Sequence, residues 1–193
     1  MTNGAQALIT TLVDSGVEVC FGNPGTSEMH FVAALDTVPQ MRGVLCLFEG
    51  VVTGAADGYG RMMQAPALTL LHLGPGLGNG LANLHNANRA RTPIVSLIGE
   101  HATFHRANNP PLASDIAALA RPVSAWVRTV ETTADLLLLA HEAFETARRD
   151  GPAALILPAD IAWSDDTLSL PPVRASSDEN IDLGPIEEAA QLL

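Results

Sequence analysis

Residues 67–80 read ALTLLHLGPGLGNG, and this stretch decides the fold. Its first part, 67–72, is a nearly continuous apolar run, which is typical of a strand buried on both faces of a parallel sheet. A glycine-rich turn and a helix to about Arg89 are predicted to follow. The glycines do not fit the Gly-x-Gly-x-x-Gly pattern of dinucleotide-binding proteins, because no start within 74–78 places a glycine at the last position.

The same alternation of strand and helix extends on both sides of this unit. Further strands are predicted at 17–21, 44–48, 93–98, 125–130 and 153–157, and further helices at 5–13, 26–35, 50–63, 114–120 and 133–149. Thr26 or Ser27 is predicted to cap the second helix, and Ser114 the fifth. The alternation predicts a doubly wound α/β domain over residues 1–163, with a mostly parallel sheet of about six strands and helices on both faces.

The composition changes after residue 163. Residues 164–185 are polar and contain several prolines, which indicates a linker. Residues 186–193 open a helical pattern and are predicted to be the start of a truncated central domain. A helix of two turns cannot bury its apolar face alone, so we expect further sequence to follow.

The chain contains no lysine, and its net charge is −11. The lack of lysine excludes a lysine Schiff base and a Walker-type phosphate loop from these residues. The acidic balance without a basic cluster argues against nucleic acid and anionic membranes as partners. No signal peptide or membrane-spanning run is recognised, so a cytoplasmic location is expected, with Cys20 and Cys46 as buried, reduced thiols.

Three segments stand at the ends of predicted strands, at the carboxyl edge of the sheet, where parallel folds bind ligands: the turn at 21–28, Glu49 and His72. A partly desolvated acid at Glu49 would suit proton transfer. Each segment also has an ordinary explanation: a simple strand-to-helix turn, a solvated acid at a helix N-terminus, and a hydrogen-bonded core histidine. The residues alone leave both explanations open, and the scattered histidines predict no metal site.

Taken in order, these segments resemble the N-terminal, pyrimidine-binding domain of thiamine-diphosphate-dependent enzymes, which include acetolactate synthase, benzoylformate decarboxylase and pyruvate decarboxylase. The matching pieces are FGNPG at 21–25, Glu49, ADGYGR at 56–61, HLGPGLGN at 72–79, TPIV at 92–95 and GPAALILPAD at 151–160. The resemblance covers essentially residues 1–163. It is specific because all the pieces occur in the correct order.

The resemblance implies roles for single residues. Glu49 matches the glutamate that hydrogen-bonds N1′ of the cofactor's aminopyrimidine and thereby activates the cofactor. The other positions implied to bind the cofactor are Pro24, Gly25 and Asn79. Thr26 matches a serine that contacts substrate in benzoylformate decarboxylases, and His72 matches a histidine that transfers protons in those enzymes.

The implied function is that of a thiamine-diphosphate-dependent 2-oxo acid decarboxylase or carboligase. Gly74-Pro75-Gly76 is closer to acetolactate synthases, whereas Leu73 departs from the small polar residue of the decarboxylases. The predicted function is therefore acetolactate-synthase-like. The alternatives are a benzoylformate-decarboxylase-like enzyme, a split-subunit decarboxylase and a non-catalytic interaction domain.

The resemblance also implies partners. One subunit would hold the pyrimidine half of the cofactor, and its partner would hold the diphosphate with Mg²⁺ through a C-terminal domain absent from this chain, so the isolated chain should be inactive. FAD is possible in the full protein, and a homodimer or a dimer of dimers is expected. The glycine-rich helix predicted at 50–60 would pack closely on another helix, either of this chain or of a second subunit.

Overall fold

Strands and helices alternate along the chain. The computed structural model describes residues 3–165 and, after them, only Gly184, Glu188 and Ala190, each of which is helical. The strands are β1 (Val19–Asn23), β2 (Arg42–Leu45), β3 (Ala67–Leu71), β4 (Ile94–Glu100), β5 (Trp126–Thr129) and β6 (Ala153–Pro158). The helices are α1 (Gly4–Asp14), α2 (Met29–Leu35), α3 (Glu49–Met63), α4 (Leu73–Ala90), α5 (Ile116–Ala120), α6 (Leu136–Asp150) and α7 (Ala159–Trp163).

All six strands form one sheet in the order β2-β1-β3-β4-β6-β5, and every neighbouring pair is parallel. The chain builds outward from β1 to β2 and then returns to place β3 on the other side of β1. The strand order therefore reverses between β1 and β3. Open parallel sheets bind ligands at the carboxyl end of such a reversal.

Helices cover both faces of the sheet. One apolar core joins the sheet to α1, α2, α6 and α7, and a second core joins it to α3, α4 and α5. The central strands β3 and β4 are buried along their whole length. Their continuous apolar sequences reflect this burial on two sides, and the predicted doubly wound α/β fold is confirmed.

The predicted glycine-rich turn after β3 is wrong, because α4 begins immediately at Leu73. Leu73 itself takes a positive φ of 51°, which makes the sharp change of direction in a single residue. Pro75 lies in the first helical turn, where no N–H donor is needed, so it does not interrupt the helix. The His72 carbonyl accepts a hydrogen bond from the Gly76 N–H at 2.7 Å.

The predicted helix caps are also wrong. Residues Thr26–Glu28 form a 3-10 turn before α2, and neither Thr26 nor Ser27 caps it with its side chain. Asp115, rather than Ser114, caps α5 by accepting a hydrogen bond from the Ala118 N–H at 2.9 Å. The Glu28 side chain does not cap α2 either, because it turns back to accept the N–H of Gly25.

The glycines of α3 mainly serve contacts within the chain. A Cβ on Gly54 would lie 3.0 Å from the Asn83 side chain of α4, and a Cβ on Gly80 would lie 2.8 Å from Thr53. The two helices therefore approach closely through positions without side chains, which confirms helix-on-helix packing. Gly58 has nothing within 4 Å, so intramolecular packing does not explain it.

The described body ends with α7 at Trp163, and the Gly4 N–H donates to the Ser164 carbonyl at 2.9 Å. Most of the predicted linker at 164–185 and of the domain start at 186–193 lies outside the described residues, so those boundaries stay predictions. Among the described helices, none has both the length and the apolarity to cross a membrane.

Candidate active site

The candidate site lies at the carboxyl ends of β1, β2 and β3, where the strand order reverses. Gly25 follows β1, Glu49 is the first residue of the helix after β2, and His72 links β3 to α4. Because β1 lies between the other two strands, these three connections are neighbours in space. The fold thus brings together the three segments selected from the sequence.

Glu49 is a buried acid with one oriented oxygen. The residue is only 6% exposed although it begins α3, so it is both a helix N-terminal acid and a desolvated one. The Asn79 Nδ2 donates to its Oε2 at 3.0 Å. No described residue donates to Oε1. That oxygen lies beside Gly76, where a Cβ would be 3.2 Å away.

Gly76 also connects Glu49 to His72. A Cβ built on Gly76 would lie 3.4 Å from the His72 Cβ as well as against Glu49 Oε1. The start of α4 thus supplies Asn79, which holds the acid, and a bare glycine backbone between the acid and the histidine. A planar ring can approach a backbone of this kind closely because no side chain projects from it.

His72 is held by a second acid, Glu28, which the sequence analysis did not select. The His72 Nδ1 lies 2.8 Å from Glu28 Oε2, and the same oxygen accepts the Gly25 N–H at 2.7 Å. Glu28 is only 3% exposed, and burial raises the pKa of its carboxyl; the hydrogen bonds from Gly25 and His72 act in the opposite direction. Glu28 follows Gly25 at the spacing of the acid in a capping box, but glycine has no capping side chain, so this spacing alone does not single out Glu28 as a buried acid.

The remaining predicted site residues are less closely involved. Pro24 lines a separate, mainly apolar cavity of about 350 Å³ between α2 and the edge of the sheet. Thr26 is exposed, and its hydroxyl makes no hydrogen bond to a described residue. Two separate sets of hydrogen bonds therefore involve four of the predicted residues: Asn79 bonds to Glu49, and Gly25 and His72 bond to Glu28. Pro24 and Thr26 take no part in these bonds.

The sequence profile described as "Thiamine pyrophosphate enzyme, N-terminal TPP binding domain" matches residues 2–119 of this chain. The chain belongs to the thiamine pyrophosphate enzyme family. The resemblance inferred from the motifs is thereby confirmed. Thiamine diphosphate is the cofactor for which this family domain is named.

Individual members of the thiamine pyrophosphate enzyme family are similar over most of the chain. A Mycobacterium tuberculosis (strain ATCC 25618 / H37Rv) protein named "Putative acetolactate synthase large subunit IlvX" is 60% identical over 186 residues, 95% of this chain and 36% of its own length. Benzoylformate decarboxylase of Pseudomonas aeruginosa (strain PAO1) is 32% identical over 75% of this chain and 28% of its own length. The crystal structure of benzoylformate decarboxylase from Polynucleobacter necessarius superposes with a TM-score of 0.87 at 27% identity, covering 100% of this chain and 36% of that one.

This chain of the thiamine pyrophosphate enzyme family spans about a third of the length of those relatives, between 28% and 36%. One feature of the residues present fits an aminopyrimidine ring. Glu49 is only 6% exposed, and its Oε1 accepts no hydrogen bond from a described residue, so this oxygen can bond a ring nitrogen. The described residues contain no group of three or more His, Cys, Asp or Glu side chains that could hold a metal ion.

Proposed function

We propose that this chain forms the pyrimidine-binding part of a thiamine-diphosphate-dependent enzyme that decarboxylates or joins 2-oxo acids, as acetolactate synthase does. The observation that carries the proposal is the buried Glu49 carboxyl, with Oε2 held by Asn79 and Oε1 free beside Gly76. The name of the relative that is 60% identical supports the acetolactate-synthase-like reading.

In this proposal Oε1 of Glu49 would hydrogen-bond N1′ of the aminopyrimidine. Asn79 fixes the plane of the carboxyl through Oε2, so the free oxygen has a defined direction. The residue is only 6% exposed, so a hydrogen bond made at Oε1 would meet little competition from water. When bound, thiamine diphosphate supplies the electron sink that allows a 2-oxo acid to lose CO2.

Other residues of the group would bind and transfer protons. Gly25 brings the turn after β1 against His72, where a side chain would overlap the imidazole. His72 would exchange protons with the substrate, and the exposed Thr26 would contact substrate at the outer edge of the site. Mg²⁺ and the diphosphate group would be bound outside this chain.

A benzoylformate-decarboxylase-like activity is the second candidate. Its support is His72 together with the benzoylformate decarboxylase relative and the similar solved structure. The two candidates differ in their products. A carboligase would convert pyruvate into acetolactate, whereas an enzyme of the second kind would release benzaldehyde from benzoylformate.

We also infer that the chain works as a dimer. Four apolar side chains around the start of α3 are strongly exposed: Leu45 (72%), Leu47 (88%), Phe48 (49%) and Val51 (55%). Large apolar side chains left exposed within seven residues of sequence are a feature of protein interfaces. Because these residues flank Glu49, a second subunit would cover the site from the side that this chain leaves open.

The proposal is tested by Glu49→Gln in the enzyme in which this domain works, with Glu18→Gln as the matched control at an exposed position. The change is nearly isosteric and removes the exchangeable proton, so we expect a loss of turnover of about 10²-fold or more with an intact fold. Steady-state turnover is measured with pyruvate and with benzoylformate, and circular dichroism reports the fold. Equal turnover in Glu49→Gln and Glu18→Gln would contradict the proposed role.

A further inference from the structure

Glu28 is an acid that the fold buries in the site at a cost. Its Oε1 has no hydrogen-bond partner among the described residues. This oxygen lies over Gly99 of β4, where any Cβ would overlap the carboxyl. An unsatisfied, buried carboxyl oxygen destabilises a protein, so the presence of this acid calls for a reason beyond packing.

We propose that Glu28 is a positioning residue, whose Oε2 holds His72 in the tautomer that carries its proton on Nδ1 and leaves Nε2 free. This inference rests on the proposed function, in which His72 exchanges protons with the substrate. The imidazole is about a quarter exposed, and no described residue hydrogen-bonds to its Nε2. That nitrogen is therefore the atom available for proton exchange.

The hydrogen bonds around Glu28 Oε2 support donation from the His72 Nδ1–H to this oxygen. A backbone N–H can only donate, so Oε2 must accept from Gly25, and its remaining lone pairs face the His72 Nδ1. The distances of 2.7 Å and 2.8 Å lie at the short end of the range for N–H···O hydrogen bonds, a range that bonds to a charged oxygen share. The competing arrangement is a protonated Glu28 that donates to Nδ1, with the histidine proton on Nε2. Burial favours that arrangement, since it raises the pKa of Glu28.

The proton balance explains what Glu28 contributes. When the Nε2 lone pair takes a proton from a substrate, the ring becomes a cation with N–H groups at both nitrogens. The carboxylate at Nδ1 then faces this positive charge, and the pair passes from a net charge of −1 to zero. An acid that orients a histidine and stabilises its protonated form plays this part in hydrolytic triads.

The test reads the tautomer of His72 in the 193-residue chain itself, without cofactor. Long-range proton–nitrogen NMR correlations of histidine-labelled protein, recorded at a pH where the ring is neutral, show which nitrogen is protonated, and His72→Gln assigns the signal. We expect Nδ1–H in the wild type. Glu28→Leu should shift the ring to the Nε2–H form that a free imidazole side chain prefers.

Glu28→Gln should retain Nδ1–H, because the Gly25 N–H orients the amide oxygen to the place of Oε2. The exposed Glu18→Gln is the control and should leave the spectrum unchanged. If Glu28→Leu does not fold, the wild type and Glu28→Gln still decide the question. An Nε2–H tautomer in the wild type, or an unchanged tautomer in folded Glu28→Leu, overturns the inference.

The result is separable from the proposed function. A fixed Nδ1–H tautomer together with full turnover in Glu49→Gln would refute the proposed function and leave the Glu28–His72 pair intact. In the reverse case, the His72 tautomer would not depend on Glu28, but turnover would still depend on Glu49. That result would refute only the positioning role of Glu28.

Discussion

The hydrogen bond from Asn79 to Glu49 gives a quantitative test of the site geometry. Asn79→Ala removes the donor to a carboxyl oxygen, and such bonds to charged groups contribute about 1.5–3 kcal/mol. Water can partly replace the amide because Asn79 is exposed, so we expect a net cost of about 1–1.5 kcal/mol. Alanine also forms helices better than asparagine by roughly 0.5 kcal/mol, which offsets part of this cost.

Asn86→Ala is the matched control, since Asn86 lies in the same helix, is exposed and makes no hydrogen bond that the described structure shows. Both variants gain the same helix propensity, so the difference between their free energies of unfolding isolates the bond to Glu49. Urea denaturation should place the midpoint of Asn79→Ala about 0.5 M below that of Asn86→Ala. A double-mutant cycle with Glu49→Ala should return a coupling of about the same 1–1.5 kcal/mol. Coincident midpoints, or no coupling, would refute the geometry of the site.

Two further predictions concern Glu28 and the dimer. Burial raises the pKa of Glu28 above its ordinary value of 4.5, so its contribution to stability is present in full below pH 4.5 and is lost as the pH rises through the raised pKa. Glu28→Gln has no ionisable group at this position, so its free energy of unfolding should rise relative to that of the wild type as the pH increases above 4.5. If the two free energies of unfolding changed with pH in parallel, the prediction would be contradicted. A stable dimer would bury about 1,200–2,000 Å² in total. Val51→Lys should convert this dimer into a monomer, as measured by sedimentation velocity, whereas the control Glu18→Lys should remain a dimer. A wild type that is already monomeric at tens of micromolar would rule out the interface around α3.

The fold was predictable because strands that are buried on both faces of a parallel sheet consist mainly of apolar residues. Strands β3, β4 and β6 are mainly apolar runs, and each is followed or preceded by a periodic helix. The start of α4 was not predictable in the same way. Its many glycines favour a turn when only the local sequence is considered, whereas in the fold α4 packs closely on α3, with Gly80 against Thr53.

The site was predictable only in part. Glu49 and His72 stand directly after strands, so the sheet topology alone brings them to one edge. Glu28 lies within a turn, and nothing near it in the sequence indicates that it is buried. Its burial depends on Gly99 in a distant strand, and its partner His72 follows another strand, so the contact exists only after the sheet has formed.

The buried acids and the glycines of the site form matched pairs. Glu28 occupies the space that Gly99 leaves open, and Glu49 lies against Gly76. Each pair lowers stability twice, because a glycine within a helix or strand costs about 0.5–1 kcal/mol and a buried carboxyl must be desolvated. A fold selected only for stability would fill these positions with apolar side chains. The unfavourable choices coincide with the reversal of strand order between β1 and β3, where parallel sheets bind ligands, and this coincidence supports the proposed site independently of any relative.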